Sequence, residues 1–341
     1  MNIDYKIHDI FPQITVGRDF REMTAETFII ISNEIVYGIF SKKYPGFPCR
    51  RLFYLNDNTF EEIEPLLAEI KTMDGPILAI GGGAVIDAAK YIAHETGKSL
   101  VVVPGAVTTD AFLTPVSVIK NTRTRVEEVC RAKKPDRVYF DMDILEGAPV
   151  RYNVAGLGDV ISMYTAAYDW RLAHQKTGEP FDPLLAEMAM GLVKSLEPAA
   201  AEIAKNSPTG IKHIIDALTA EFFIYNLAGG NRPEVGSEHL FARLFEENHI
   251  GNFLHGEIVA LGVLLMTYFQ GRDFRWIRML IGGLGINYKP QTLGIPTADL
   301  IRLTASLNRY VQERNLRYTV LNQCLLTEQD VKQGLREVLG E

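Results

Sequence analysis

In the stretch PILAIGGGAVIDAAKYIA, residues 76–93, a short apolar run passes through Gly81-Gly82-Gly83 into residues with helical spacing. A buried strand that turns through glycines into a helix is the opening of an α/β unit. Consecutive glycines let backbone amides come close to a pyrophosphate, and the helix N-terminus adds partial positive charge. The pattern is not GxGxxG, and no Gly-Lys-Ser/Thr follows as in a P-loop. The competing reading is a tight turn that binds nothing, against which stands the chain entropy that three glycines lose on folding. Asp87 and Lys90 fall one turn apart on the helix and can pair with each other.

Outward from this stretch the first 150 residues keep the same rhythm. TFIIIS, RRLFYL and SLVVVP read as further buried strands, with helical patterns over 34–42, 59–71 and 85–94. Strand and helix in alternation predict a parallel sheet covered on both faces, with ligands beyond the carboxyl ends of its strands. SLVVVP leads into GAVTTDAFLTPVSVIK (105–120), whose small residues and hydroxyls, Thr108 and Thr109 among them, line the same crevice. Asp110 is the only charged group between Lys98 and Lys120, and is either a cap satisfied by neighbouring amides or a substrate contact. From Arg151 the rhythm becomes helical, over 159–174, 182–204, 210–227, 236–247, 256–269 and 298–313. The chain therefore reads as an α/β N-terminal dinucleotide-binding domain (1–150) and an all-helical C-terminal domain (151–341), with the boundary between Gly147 and Asn153.

At 341 residues, 47% hydrophobic and 23% charged, the chain has the composition of an ordinary globular protein of two domains. A net charge of -7 argues against a general nucleic-acid surface. The run Arg131-Ala132-Lys133-Lys134 is short and reads as a solvated turn. Cys49, Cys130 and Cys324 are scattered and form no CxxC pair, which disfavours both a zinc ribbon and a disulfide framework. The start, MNIDYKIHDIF, lacks the pattern of a secretory leader, and no apolar run reaches the length of a membrane span. The expectation is a cytoplasmic protein.

Three of the seven histidines lie in NRPEVGSEHLFARLFEENHIGNFLHGE, residues 231–257. His239 and His255 both fall at predicted helix starts, so two separate helices can aim imidazoles into one site. No HExxH occurs, which excludes a zincin. A catalytic metal site needs three protein ligands and an open position. AGLGDVISMY supplies Asp159, again at a helix start, whereas His249 lies in the polar connector and reads as a surface residue. The bland alternative is a pair of helix-terminal histidines bonded to backbone, and pattern alone leaves the two open.

Taken together, GGGAVIDAAKYIA, AGLGDVISMYTAAYDWRLAH, RPEVGSEHLF, LHGEIVALGVLLM and RYTVLN resemble, in order and spacing, the superfamily of iron-containing alcohol dehydrogenases, glycerol dehydrogenases and dehydroquinate synthases. Within it the likeness runs to the sn-glycerol-1-phosphate dehydrogenases, and covers about Pro76 to Leu325; the first 70 residues match only in rhythm. The resemblance implies a dehydroquinate synthase-like fold, an NAD or NADP cofactor and one divalent metal. Zinc is the first expectation, and nickel or iron would also accept these nitrogen and oxygen ligands. It places the metal on Asp159, His239 and His255. The cofactor falls on Gly81, Gly82, Gly83 and Asp87, with Thr114, Val116 and Lys120 bordering the nicotinamide, and Asp110 becomes a substrate contact. The implied substrate is a small phosphorylated polyol or its ketone, glycerol 1-phosphate and dihydroxyacetone phosphate, with Lys120 and Arg232 as candidate cations for the phosphate. Arg232 is alternatively expected to pair with Glu234 or Glu238 on its own segment.

The chain departs from the family pattern where Pro104-Gly105 replaces Pro-Thr, and where Glu234 and Val235 replace small residues before GSEH. Cofactor choice is unreadable, since Asn33 follows TFIIIS where an acidic residue would hold a ribose, although Asp57 after RRLFYLN could serve. Rival readings are a sugar-phosphate cyclase that uses NAD transiently and a non-catalytic nucleotide-binding relative. Cyclases usually carry glutamate where this chain has Asp159, and a non-catalytic descendant would not need all three ligands. Helical domains of this kind often pair, which leaves room for a homo-oligomer, but the sequence does not give the oligomeric state.

Overall fold

The structure, a computed structural model, describes residues 10–23, 26–122 and 126–340. Most of the stretch read above for a leader, residues 1–9, lies outside the described residues. Contacts divide the chain into two compact units, Met1–Pro149 and Val150–Glu341.

The first unit carries β1 (Gln13–Gly17), β2 (Phe28–Ser32), α1 (Glu34–Lys43), β3 (Cys49–Tyr54), α2 (Phe60–Ile70), β4 (Ile77–Gly81), α3 (Gly83–Thr96) and β5 (Leu100–Pro104). An antiparallel hairpin follows, β6 (Val116–Asn121) and β7 (Val126–Arg131), then β8 (Arg137–Asp141) and α4 (Met142–Gly147). Six strands form one parallel sheet in the order β1-β8-β5-β4-β2-β3. Every residue of β2, β4 and β5 is buried, because helices cover both faces, and this is why they read as unbroken apolar runs. Phe20, Phe28, Phe40, Leu78, Val101 and Tyr139 form part of one core against the sheet. Each such burial contributes about 1.5–3 kcal/mol.

The connection from β2 through α1 leads outward to β3, whereas β4 through α3 leads the other way to β5. The winding therefore reverses between β2 and β4, and a crevice opens beyond their carboxyl ends, at Asn33 and Gly82.

The second unit is helical among its described residues: α5 (Val150–Ala155), α6 (Leu157–Thr177), α7 (Pro183–Ser195), α8 (Ala200–Ala204), α9 (Pro208–Ala228), α10 (Ser237–Glu247), α11 (His255–Phe269), α12 (Arg275–Leu284), α13 (Thr297–Ala305), α14 (Leu307–Glu313) and α15 (Glu328–Leu339). α6 and α11 are apolar around most of their circumference because both are central, and they pack against each other and against α10. Among the described residues no helix is long and apolar enough to cross a membrane.

Several elements differ from expectation. The helical reading over 182–204 breaks at Glu197–Ala199, where Pro198 cannot continue the ladder, and 298–313 breaks at Ser306. β1, β8, the hairpin and helices α4, α5, α12 and α15 were not anticipated from the sequence.

Candidate metal centre and nucleotide loop

Three helix starts meet in the second unit. Asp159 is the third residue of α6, His239 the third of α10, and His255 the first of α11. Glycine makes the approach of α6 and α11 possible. A Cβ on Gly158 would lie 2.2 Å from the Gly256 Cα, and one on Gly256 would lie 1.8 Å from the Ala155 carbonyl oxygen. The residues beside these glycines, Asp159 and His255, are thereby held together. Glu257 completes the HGE stretch: it accepts both Arg151 nitrogens, Nε at 2.6 Å and Nη2 at 2.7 Å, and the Leu254 N–H at 2.8 Å, fixing the start of α11.

The three side chains present one ligand atom each, all within 4.8 Å of one another. Nε2 of His239 and Nε2 of His255 each lie 3.4 Å from the same Asp159 oxygen, Oδ1. That separation is too long for a normal N–H···O bond, and Oδ1 is buried with no hydrogen-bond partner among the described residues. It is the separation expected of two atoms each about 2.1 Å from a tetrahedral cation. The far nitrogens are occupied as a metal site requires. His239 Nδ1 lies 3.0 Å from Glu238 Oε1, and His255 Nδ1 lies 2.7 Å from Glu246 Oε1. A carboxylate only accepts, so each neutral ring carries its hydrogen on Nδ1 and turns the Nε2 lone pair toward Asp159. The donor set and its spacing fit a divalent cation.

The metal-free electrostatics follow. Burial opposes charge on His239, but Asp159 and Glu238 outweigh it and push the ring up to about 9. Burial likewise opposes charge on His255, and Glu246 with Asp159 raises it well above the ordinary value. Burial would raise Asp159, yet His255 and His239 together hold its carboxyl well below the usual range. One cation satisfies all three groups.

Further residues that the sequence left unread complete the site. Glu238 also accepts the Thr165 hydroxyl and the Gly236 N–H, each at 2.6 Å. Asp169 accepts the N–H groups of Ser237 and Val320, both at 2.8 Å, and burial with Glu238 nearby pushes its carboxyl up to about 7. Arg232 corrects the expectation of a partner on its own segment: its guanidinium binds both oxygens of Glu179 and the Tyr318 carbonyl, at 3.0 Å for the latter. Arg317 donates to the Val235 carbonyl at 3.1 Å. The two arginines lash the loop before α10 in place. His249 is exposed in the connector, with a left-handed φ of 52°, and stands apart from the three ligands.

In the first unit, Gly82 caps α3 without a side-chain bond, and the Gly105 N–H donates to the Gly81 carbonyl at 2.9 Å. A Cβ on Gly83 would meet the Thr109 hydroxyl at 3.4 Å and the Thr108 hydroxyl at 4.0 Å, so the loop after β5 overhangs the N-terminus of α3. Gly81, Gly82, Gly83, Thr108 and Thr109 are thus neighbours at the point where the sheet reverses. Asp110 is half-buried, and its carbonyl closes a turn with the Leu113 N–H at 2.7 Å.

Asp87 instead faces inward, where Lys90 Nζ sits 2.8 Å from its Oδ1; burial pushes the Asp87 carboxyl up, opposed by the lysine. The fully buried Lys90 amine also donates to Thr114 Oγ1 at 3.1 Å and to the Val116 carbonyl. Asp87 and Lys90 therefore clamp the hairpin onto α3. Lys120, on the outer side of the hairpin, pairs with Asp57 at 2.9 Å, which joins two residues the sequence offered for separate tasks.

Residues 20–149 match the sequence profile of the iron-containing alcohol dehydrogenases. The glycerol dehydrogenase of Schizosaccharomyces pombe shares the fold, with a TM-score of 0.72 at 18% identity over 96% of this chain and 89% of that one. The fold is thus that of the iron-containing alcohol dehydrogenase class. NAD(P)+ glycerol-1-phosphate dehydrogenases are similar in sequence: that of Hyperthermus butylicus is 31% identical over 87% of this chain and 85% of its own, and that of Aeropyrum pernix 33% identical over 81% and 77%. The chain belongs to the glycerol-1-phosphate dehydrogenase family.

Proposed function

We propose that this chain is a metal-dependent, NAD(P)-linked dehydrogenase that interconverts glycerol 1-phosphate and dihydroxyacetone phosphate. The observation that carries the reading is the Asp159/His239/His255 triangle, with each histidine's Nδ1 held by a carboxylate. The α/β unit takes the dinucleotide, and the helical unit takes the metal. A bound divalent cation supplies Lewis acidity toward a carbonyl or alcohol oxygen, and a bound nicotinamide supplies or accepts the hydride. The chain's own residues prepare for both. Asp159 offsets part of the cation's charge, while Glu238 and Glu246 keep both imidazoles in the tautomer that presents Nε2.

At the other site, the first-turn amides of α3 and the hydroxyls of Thr108 and Thr109 receive pyrophosphate oxygens. The hairpin edge that carries Thr114 and Val116 borders the nicotinamide, and Asp110 meets a substrate hydroxyl. Lys120 serves a phosphate only by giving up Asp57, and Arg232 only by giving up Glu179, so Lys120, the more exposed pair, is the better of the two.

The test is a metal-reconstituted assay with NADH and NADPH in turn, comparing dihydroxyacetone phosphate with dihydroxyacetone. Consumption of reduced cofactor with the phosphorylated ketone alone is expected. Consumption with neither, while metal and nucleotide still bind, would sink the dehydrogenase reading and point to a cyclase, tested by following product from heptulose phosphates.

A further inference from the structure

The two histidines of the centre are held unequally. His239 is 12% exposed, and its partner Glu238 is completely buried. Glu238 is itself fixed by Thr165 on α6 and by the Gly236 N–H, at 2.6 Å each. The loop that carries Gly236 is pinned in turn by Arg232 to Glu179, by Arg317 to the Val235 carbonyl, and by the Ser162 hydroxyl to the Glu234 carbonyl at 2.7 Å. Movement of this half breaks buried bonds at Glu238 and half-buried ones in the loop.

The other half differs. His255 is 37% exposed and Glu246 27%. The single hydrogen bond of the Glu246 carboxylate among the described residues is to His255 Nδ1. Glu246 belongs to the last turn of α10, followed by Asn248 and the exposed, left-handed His249. One bond at the end of a helix therefore sets the orientation of the more accessible ligand.

We propose that Glu246 is a positioning residue that governs release of the metal, the Glu246–His255 pair being the half of the centre that opens while Asp159 and the Glu238–His239 half stay fixed. The proposal rests on the metal reading above. A cation leaves when His255 swings its ring out of line, and the carboxylate at Nδ1 is what resists that swing. Loss of such a partner typically lowers metal affinity by about 10–100-fold.

The experiment uses the full chain loaded with zinc, diluted into excess chelator, with the rate of zinc loss followed by a metal-sensitive dye and the melting temperature of the metal-free protein measured alongside. Glu246→Gln is expected to lose zinc about 10-fold faster or more than the parent, with Glu246→Asp between the two, and to lower metal-free melting less than Glu238→Ala does. Glu238→Ala is expected to lower metal-free melting more, because it strands the buried Gly236 N–H, whereas the Thr165 hydroxyl keeps the Ser162 carbonyl as acceptor. Zinc loss from Glu246→Gln within twofold of the parent overturns the proposal. So does a fall in its metal-free melting that matches that of Glu238→Ala, since Glu246 would then be a structural prop. If the parent chain retains less than one zinc per chain, the metal reading itself fails and the proposal with it.

Discussion

Among the described residues Asp159 Oδ1 has no hydrogen-bond partner, although two imidazole nitrogens stand 3.4 Å away, and the carboxylates around both rings make the site proton-sensitive. Without metal, His239 holds its proton up to about pH 9 and His255 is also raised, so a cation must displace both protons to bind. Apparent zinc affinity should therefore fall as pH drops, by about 10–100-fold per unit below pH 9. Titration of metal-free protein at pH 6, 7 and 8 checks this, and a flat profile would count against both imidazoles as ligands. The stability sign is opposite for the empty chain. Folded pKa values above the unfolded value give stability that is complete below about pH 6.5 and lost as pH rises through about 9. The gap in melting temperature between loaded and metal-free protein should widen over that interval. His255→Ala should retain no zinc and show no turnover, as read by elemental analysis and the ketone assay. At Asn33, whose side chain caps α1 at the end of β2, Asn33→Asp should shift the NADH/NADPH preference toward NADH by about 10-fold or more, since a carboxylate there repels a 2′-phosphate.

Helix starts, helix crossings and strand edges explain the next level. Gly158→Ala places a methyl against the backbone of α11 and should separate Asp159 from His255. The expected result is loss of zinc together with about 1–3 kcal/mol of stability, measured by denaturant unfolding and metal content. Lys90→Met leaves Asp87 buried and uncompensated, which costs about 3–5 kcal/mol. The double variant Asp87→Leu with Lys90→Met should recover most of that loss, and failure to recover would show that the lysine acts through more than its charge. The same features explain what could be read in advance. β2, β4 and β5 were legible because burial on both faces makes them continuous apolar runs. The hairpin was not, because β6 inverts the usual alternation: Val116 is exposed, while Ser117 is buried with its hydroxyl on the Asp87 carbonyl at 2.8 Å. β1 is a largely exposed edge strand, and its QITVG carries too little hydrophobic signal. The three candidate metal ligands stood out as His and Asp at helix starts. Glu238 and Glu246 did not, because no spacing rule shows which carboxylate will find the back of an imidazole.

Across the whole chain, the candidate metal residues and the glycine loop lie in separate units, and the proposed function has them respond to different ligands. Zinc should slow amide exchange at the starts of α6, α10 and α11, whereas reduced nucleotide should slow it around 81–84 and 105–110. Exchange mapped by mass spectrometry with each ligand alone tests this division. Protection of the glycine loop by zinc alone would contradict it. Loading either site stabilises the native state by mass action, by about 2.7 kcal/mol at a hundredfold excess over the dissociation constant.

Gly105 and Val36 carry one more implication, historical in kind. A Cβ at residue 105 would meet the Val36 methyl groups at 2.8 and 3.1 Å, and valine's branched side chain has little rotamer freedom with which to yield. The two positions are therefore coupled, and a side chain at 105 carries an overpacking cost as long as valine stands at 36. A side chain at 105 is accommodated with less strain once Val36 is cut back to alanine, so the order in which the two positions change decides how much each step costs.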